Sequence, residues 1–302
     1  MRLVLSLAYP FFEAPRHLPK NVFGFYSHED FTVGPRSDWD KPDHFRAARA
    51  EYWSKIDGDF FDYYIWGQFA PYVSFEDLIE DTKTGIDRTF PEAEDLLPQA
   101  DQIEIWADPS PLAQTCLWYT LAELHRMGIS HECISLCRFD DLKKERGKGF
   151  CKALLCDDPE RELPAEPITA EDMENACALW LAVTKLPALS EISKQDDATA
   201  RIFTRLAGRF PNPETGLTEL QHRLLDATRT EWLAMARPIG EAMAESNILG
   251  DPAGDLILKY ELEQMACLTP APVEIEGSGQ MRFCRVRLTD AGEALKERLL
   301  GT

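Results

Sequence analysis

Apolar residues in the first 160 positions fall into short runs rich in β-branched and aromatic side chains. These runs alternate with stretches in which apolar residues recur every three or four positions. The first pattern predicts strands and the second helices, and their alternation predicts an α/β fold. Candidate strands are 2–7, 22–26, 103–107 and 132–137. In the first of them Leu3, Val4, Leu5 and Leu7 make an apolar run expected of a buried strand. Between the last two a helix opens at Pro109 or Ser110, carries Leu112, Cys116, Tyr119, Leu121 and Leu124 on its apolar side, and closes at Gly128. Strand, helix and strand within about 35 residues make a βαβ unit, which predicts a right-handed crossover and an at least partly parallel sheet. A further helix is expected over 40–56, where Phe45, Ala48, Tyr52 and Trp53 recur at helical spacing and Arg46 and Arg49 lie one turn apart on a shared face. The dense aromatic run 60–66 fits a helix or a buried strand and is read as helix.

Beyond a charged, Gly- and Pro-punctuated stretch at 140–168, the pattern becomes mainly helical. Thr169 with Glu171, Asp172 and Glu174 reads as an N-cap followed by first-turn acids, and Met173, Cys177, Trp180 and Leu181 carry the apolar stripe. A second helix is expected over 189–210, with Pro187 between the two. Thr218-Glu219-Leu220-Gln221 resembles a capping box and opens a helix reaching Trp232. Helices near 239–246 and over 254–267 follow. A hairpin then pairs Val273 and Ile275, across a tight Gly277-Ser278-Gly279 turn, with a strand in which Cys284, Val286 and Leu288 alternate with Arg285 and Arg287. A last helix starts at Thr289. The expected architecture is an α/β three-layer sandwich with a partly parallel, Rossmann-like sheet over 1–160, a helical connector over 161–213, and a winged-helix-like domain over 214–302.

Charge narrows the function classes. The 302 residues hold 32 Lys and Arg against 52 Asp and Glu, a formal net charge of -20. Each contact with nucleic acid or an anionic membrane must neutralise phosphates, so this balance argues against both. It matters most for the last domain, because a winged helix invites a DNA-binding reading. Residues 214–302 carry nine basic and fifteen acidic side chains, and the candidate recognition helix has Lys259 against Asp255, Glu261 and Glu263. Arg282, Arg285 and Arg287 on the wing are the counter-evidence. Domain packing, a homodimer or a protein partner is the preferred use of the module. The apolar stretch 3–12 is interrupted by Pro10 and followed by Glu13 with no small-residue cleavage site, and no run approaches the roughly 18 apolar residues of a membrane span. A cytoplasmic protein is expected.

Motifs for common chemistry are absent: there is no G-x-G-x-x-G after a strand, no G-x4-G-K-[ST], no H-E-x-x-H and no G-x-S-x-G. Cys133, Cys137, Cys151 and Cys156, with His131 nearby, could offer four soft ligands, but the spacing departs from a zinc knuckle and core thiols are expected instead. No metal or cofactor is expected. Among the six histidines, only His28, beside Asp30, stands near candidate chemistry. The best constellation is Asp30, Arg46, Arg49, Trp53, Trp106 and Asp108, with Gln114 on the following helix, because ligands of open α/β sheets bind outside the carboxyl ends of the strands. A fork of two arginines could take a phosphate or carboxylate, the tryptophans could stack a planar group, and Asp30 or Asp108 could orient an arginine or accept a proton. The competing reading makes the same residues a structural ion-pair core.

Three passages together resemble a known family. His28-Glu29-Asp30-Phe31-Thr32-Val33-Gly34-Pro35 is similar to its acidic element, Arg46, Arg49 and Trp53 to its next helix, and Ile103-Glu104-Ile105-Trp106 before Gln114 to its tryptophan-ending strand. This is the bacterial domain-of-unknown-function 1835 group. Its companion C-terminal domain, 3658, resembles Gly216-Leu217-Thr218, Leu249-Gly250-Asp251 and Arg287-Leu288-Thr289-Asp290-Ala291-Gly292. The resemblance implies the fold and no reaction. The family's Gly-Asp-Ser-like turn after the first strand is replaced by Tyr9-Pro10-Phe11-Phe12-Glu13-Ala14-Pro15, so a ligand role for that turn does not carry over. The functional expectation is a non-catalytic ligand- or protein-binding module. The alternative is an enzyme acting on a small anionic or nucleotide-like substrate at the Asp30/Arg46/Arg49/Trp106 crevice, and the weakest reading is a DNA-binding regulator.

Overall fold

A computed structural model describes residues 1–7, 22–27, 30–56, 69–71, 93–138, 165–186 and 197–300. Its strands are β1 (Arg2–Ser6), β2 (Val22–Ser27), β3 (Phe69–Pro71), β4 (Gln102–Ala107), β5 (Ile134–Arg138), β6 (Ala165–Pro167), β7 (Leu233–Ala234), β8 (Val273–Glu276) and β9 (Arg285–Leu288). Its main helices are α1 (Pro42–Ile56), α2 (Pro111–Arg126), α3 (Ala170–Thr184), α4 (Asp197–Ala207), α5 (Glu219–Ala227), α6 (Ala236–Ile248), α7 (Asp255–Ala266) and α8 (Asp290–Leu300). The chain divides into two compact units, one of residues 1–31 and 62–185 and the other of 32–61 and 186–302. Helix α1 therefore groups with the C-terminal half. The aromatic run 60–66, His28, Cys151 and Cys156 lie outside the described residues.

The first unit is built on a six-stranded sheet in the order β3-β2-β1-β4-β5-β6. The pairs β2-β1, β1-β4 and β4-β5 are parallel, and β3 and β6 add antiparallel edges. Leu3, Val4, Leu5 and Ser6 are all buried, so both faces of β1 are covered, which is why its sequence is a run rather than an alternation. Helix α2 starts where Ser110 caps it by accepting from the Ala113 amide, with Pro111 in its first turn. It is buried nearly all round and packs against α3. Phe31, Tyr119 and Trp180 form an aromatic cluster with ring centroids 4.6 to 5.1 Å apart. The edge strands β3 and β6 were not foreseen: each has three residues and a proline, too short for an alternating pattern to register.

The second unit carries a three-stranded sheet in the order β7-β9-β8, both pairs antiparallel. Thr218 and Gln221 form the expected capping box at α5, but this helix ends at Ala227, five residues short of Trp232. The hairpin differs more. Glu276 pairs with Arg285, so the connection occupies 277–284 and includes a 3-10 turn at Met281–Phe283 in place of a tight glycine turn. Gly277 sits at φ 95°, and a Cβ there would lie 2.5 Å from the Phe283 carbonyl oxygen. Glycine is required by that close approach as well as by the left-handed backbone. Overall the architecture is mixed α/β with two sheets.

Candidate functional site

The seven expected site residues divide between the two units: Asp30, Trp106, Asp108 and Gln114 in the first, Arg46, Arg49 and Trp53 in the second. In the second unit the two arginines of α1 differ in burial. Phe45, Arg49, Trp53 and Ile56 make the buried stripe of α1, whereas Arg46 is exposed. Residues three apart are offset by about 60° around a helix, and the edge of the core runs between these two positions. Arg49 is 1% exposed. Its Nη1 donates to the Val33 carbonyl at 2.5 Å and the Pro35 carbonyl at 3.3 Å, and its guanidinium lies 5.6 and 5.7 Å from the Tyr52 and Trp53 ring centroids. The loop between the two carbonyls turns at Gly34, φ 75°, where a Cβ would lie 2.7 Å from Arg49 Nη1. Val33-Gly34-Pro35 and Arg49 are thus one structural device, a loop wrapped on a guanidinium. The pairing explains why the sequence holds both without assigning a ligand to either.

In the first unit, Asp30 is buried. Trp106 is buried with its indole edge engaged, as Nε1 donates to Glu104 Oε1 at 2.6 Å. The other oxygen of Glu104 accepts from Arg2 Nη2 at 2.5 Å. Burial, and then the adjacent Glu104 carboxylate, push the Cys137 thiol up to about 12. Cys137 is therefore a protonated core thiol at neutral pH. Alkylation of the native protein at pH 8 is expected to mark exposed Cys267 and spare Cys137 until unfolding, as read by peptide mass mapping. Gln114 is equally structural, because its Nε2 donates to the Asp108 carbonyl at 2.7 Å. Asp108 is 8% exposed and its Oδ1 accepts from the Ser110 amide at 2.8 Å, so it seals the entrance to α2.

One residue at these strand ends was missed. Ser6, the last residue of β1, is 1% exposed and its hydroxyl has no hydrogen-bond partner among the described residues. It stands in register with Trp106 on the adjacent parallel strand, and the pairing continues as the Leu7 amide donates to the Trp106 carbonyl at 2.8 Å. The sequence signal was slight, a single polar residue inside Leu3–Leu7. An unsatisfied buried hydroxyl costs about 1 to 3 kcal/mol, so it calls for a reason.

The second unit also holds a buried cluster of one aspartate and two arginines that sequence reasoning did not assemble. Asp251 Oδ1 accepts from Arg209 at 2.7 Å and Oδ2 from Arg223 at 3.2 Å. Arg223 also reaches Ser246 Oγ at 2.7 Å and Glu219 at 2.5 Å, and Glu219 bonds Arg205 at 2.5 Å. Burial pushes the nearby Glu261 carboxyl up from its ordinary range. This network joins the end of α4 to α5, the end of α6 and the turn before α7. Among the described residues, no group of three or more His, Cys, Asp or Glu side chains is placed to hold a metal ion, and no helix is long and apolar enough to cross a membrane. The chain matches no protein-family model, and no curated protein is significantly similar to it in sequence.

Proposed function

We propose that the chain is a small-molecule-binding protein whose ligand sits at the carboxyl ends of β1 and β4 in the first unit. The sheet order supports this reading. From β1 the parallel strands run outward through β2 on one side and through β4 and β5 on the other, so the direction of winding reverses between β1 and β4. In doubly wound sheets the crevice outside the strand ends at that reversal is where ligands bind. The observation that carries the proposal is the buried, unpartnered hydroxyl of Ser6 at that position. A ligand supplies the missing partner.

The proposal carries an unusual expected outcome. Ser6→Ala removes an unsatisfied hydroxyl and is expected to stabilise the free protein by about 1 kcal/mol while abolishing ligand-induced stabilisation. Thermal unfolding of the wild type and variant against a panel of nucleosides, sugars and their phosphates measures both. A variant that is destabilised, or that keeps the wild-type ligand response, contradicts the assignment.

The second unit fits a winged-helix-like module in its order of elements: α5, β7, α6, α7, then the β8-β9 hairpin and α8. Three of its cations, including two of the three wing arginines, are paired within the chain. Lys259 pairs with Glu263 at 2.8 Å, Arg287 with Glu274 at 2.6 Å and Arg285 with Glu276 at 3.6 Å. Those pairings support packing or protein contact over DNA reading, since each would have to be broken to neutralise a phosphate.

A further inference from the structure

We infer that the ligand of the proposed site lies against one face of the first unit's sheet, the face carrying Ser6, Glu104 and Trp106, and that Glu104 is a positioning residue of that site, fixing the Trp106 indole beside Ser6; this rests on the proposed site. Side chains alternate between the two faces of a strand, and the parallel registers align β1, β4 and β5 residue for residue. One face therefore carries Leu3, Leu5, Ile103, Ile105, Ile134 and Leu136, all apolar and buried. The other carries Val4, Ser6, Glu104, Trp106, Ser135 and Cys137. Of these, Ser6, Glu104, Trp106 and Cys137 are buried as well. A parallel sheet covered on both sides is ordinarily apolar on both, because a polar group taken from water must find a partner. The two faces of this sheet are built for different neighbours.

Stability alone does not call for the Glu104 carboxylate. Replacing a buried ion pair by well-packed apolar side chains is often neutral or stabilising, so a hydrophobic residue would serve the sheet as well. What Glu104 adds is local. An indole has a single donor, and the Trp106 Nε1 proton goes to Glu104 Oε1 at 2.6 Å. With Oε2 accepting from Arg2 Nη2 at 2.5 Å, the carboxylate is held on one side and holds the ring edge on the other. Ser6 and Trp106 are register partners on strands about 4.8 Å apart, so a molecule bonded to the Ser6 hydroxyl lies within reach of the Trp106 ring. The orientation of that ring sets the shape the molecule meets, and Glu104 sets the orientation.

The test titrates the whole chain, labelled with fluorotryptophan, with the compound of the nucleoside, sugar and phosphate panel that stabilises the wild type most. Fluorine NMR follows the seven tryptophans, Trp106→Phe assigns the resonance of interest, and calorimetry gives the affinity. The Trp106 resonance is expected to shift on addition of the compound. Glu104→Ala is expected to move that resonance in the free protein and to weaken binding by about tenfold or more, equivalent to about 1.4 kcal/mol. Glu104→Gln keeps an acceptor oxygen for the indole and is expected to bind within about threefold of the wild type. Should the alanine variant not fold, Glu104→Asp, which withdraws the acceptor by about 1.5 Å, takes its place with the same expectation. A folded Glu104 variant of either kind that binds as the wild type, a glutamine variant as weak as the alanine one, or a Trp106 resonance unmoved by the compound, with binding still abolished by Ser6→Ala, overturns the inference and leaves the site standing. Binding by no compound, or binding indifferent to Ser6→Ala, overturns the site itself and the inference with it.

Discussion

Gly292→Ala is expected to destabilise the protein by about 3 kcal/mol or more, although alanine is the better helix former by about 1 kcal/mol. Gly292 lies in the first turn of α8, and a Cβ there would be 1.9 Å from the Pro272 carbonyl oxygen and 2.9 Å from its carbon. The obstacle is backbone, so no side-chain rotation relieves it. The same carbonyl accepts from the Thr289 amide at 3.1 Å, while the Thr289 hydroxyl donates to Ala271 at 2.6 Å. Helix and preceding loop are therefore laced together at the point where the methyl group would enter. Urea unfolding followed by circular dichroism measures the effect. An alanine variant as stable as the wild type would show that α8 does not pack on this loop.

The second large effect is expected from Asp251→Ala, at about 3 to 5 kcal/mol. The Asp251 side chain is 1% exposed and those of Arg209 and Arg223 are each 4% exposed, so removing the carboxylate leaves two guanidinium groups buried with their shared counter-charge gone. Arg223 keeps Glu219 and Ser246. Arg209 is worse placed, because its Nε and Nη1 are already buried without hydrogen-bond partners among the described residues. Asp251→Asn, which can still accept one hydrogen bond, is expected to cost less. The alanine and asparagine variants compared in the same urea series provide the check, and equal small losses in both would show the network to be solvated.

Periodicity made much of the frame legible. The Leu3 to Leu7 run, the Ser110 and Pro111 start of α2 and the Thr218 to Gln221 box each encode a local preference that tertiary packing then reinforces, so the strands and caps fall where the pattern puts them. What the pattern could not carry was partnership. Arg46 and Arg49 look equivalent on a helical wheel until Phe45, Trp53 and Ile56 are taken together, when position 49 falls on the buried stripe and 46 off it. Trp106 reads as a stacking platform because the sequence does not reveal that Glu104, two residues earlier on the same face, holds its N–H. The strand Leu233–Ala234 has two residues and carries no periodic signal. Ser6 was invisible as a site for the opposite reason: its meaning lies in a missing bond, and a sequence records no unmade bonds.

The motifs that carry the family resemblance acquire structural reasons on the same grounds. Val33-Gly34-Pro35 cradles Arg49, Leu249-Gly250-Asp251 delivers the carboxylate between Arg209 and Arg223, and Leu288 to Gly292 docks α8 against Pro272. The structural role of Arg49 in holding Val33 and Pro35 moves attention from the arginine helix to the strand ends.

Amide hydrogen exchange, with and without the compound of that panel that raises the melting temperature most, tests that relocation directly. Ligand protection is expected in 3–7 and 107–114, across the ends of β1 and β4 and the entrance of α2, with 42–56 unchanged. Protection concentrated in 42–56, with the strand ends exchanging as in the free protein, would contradict it.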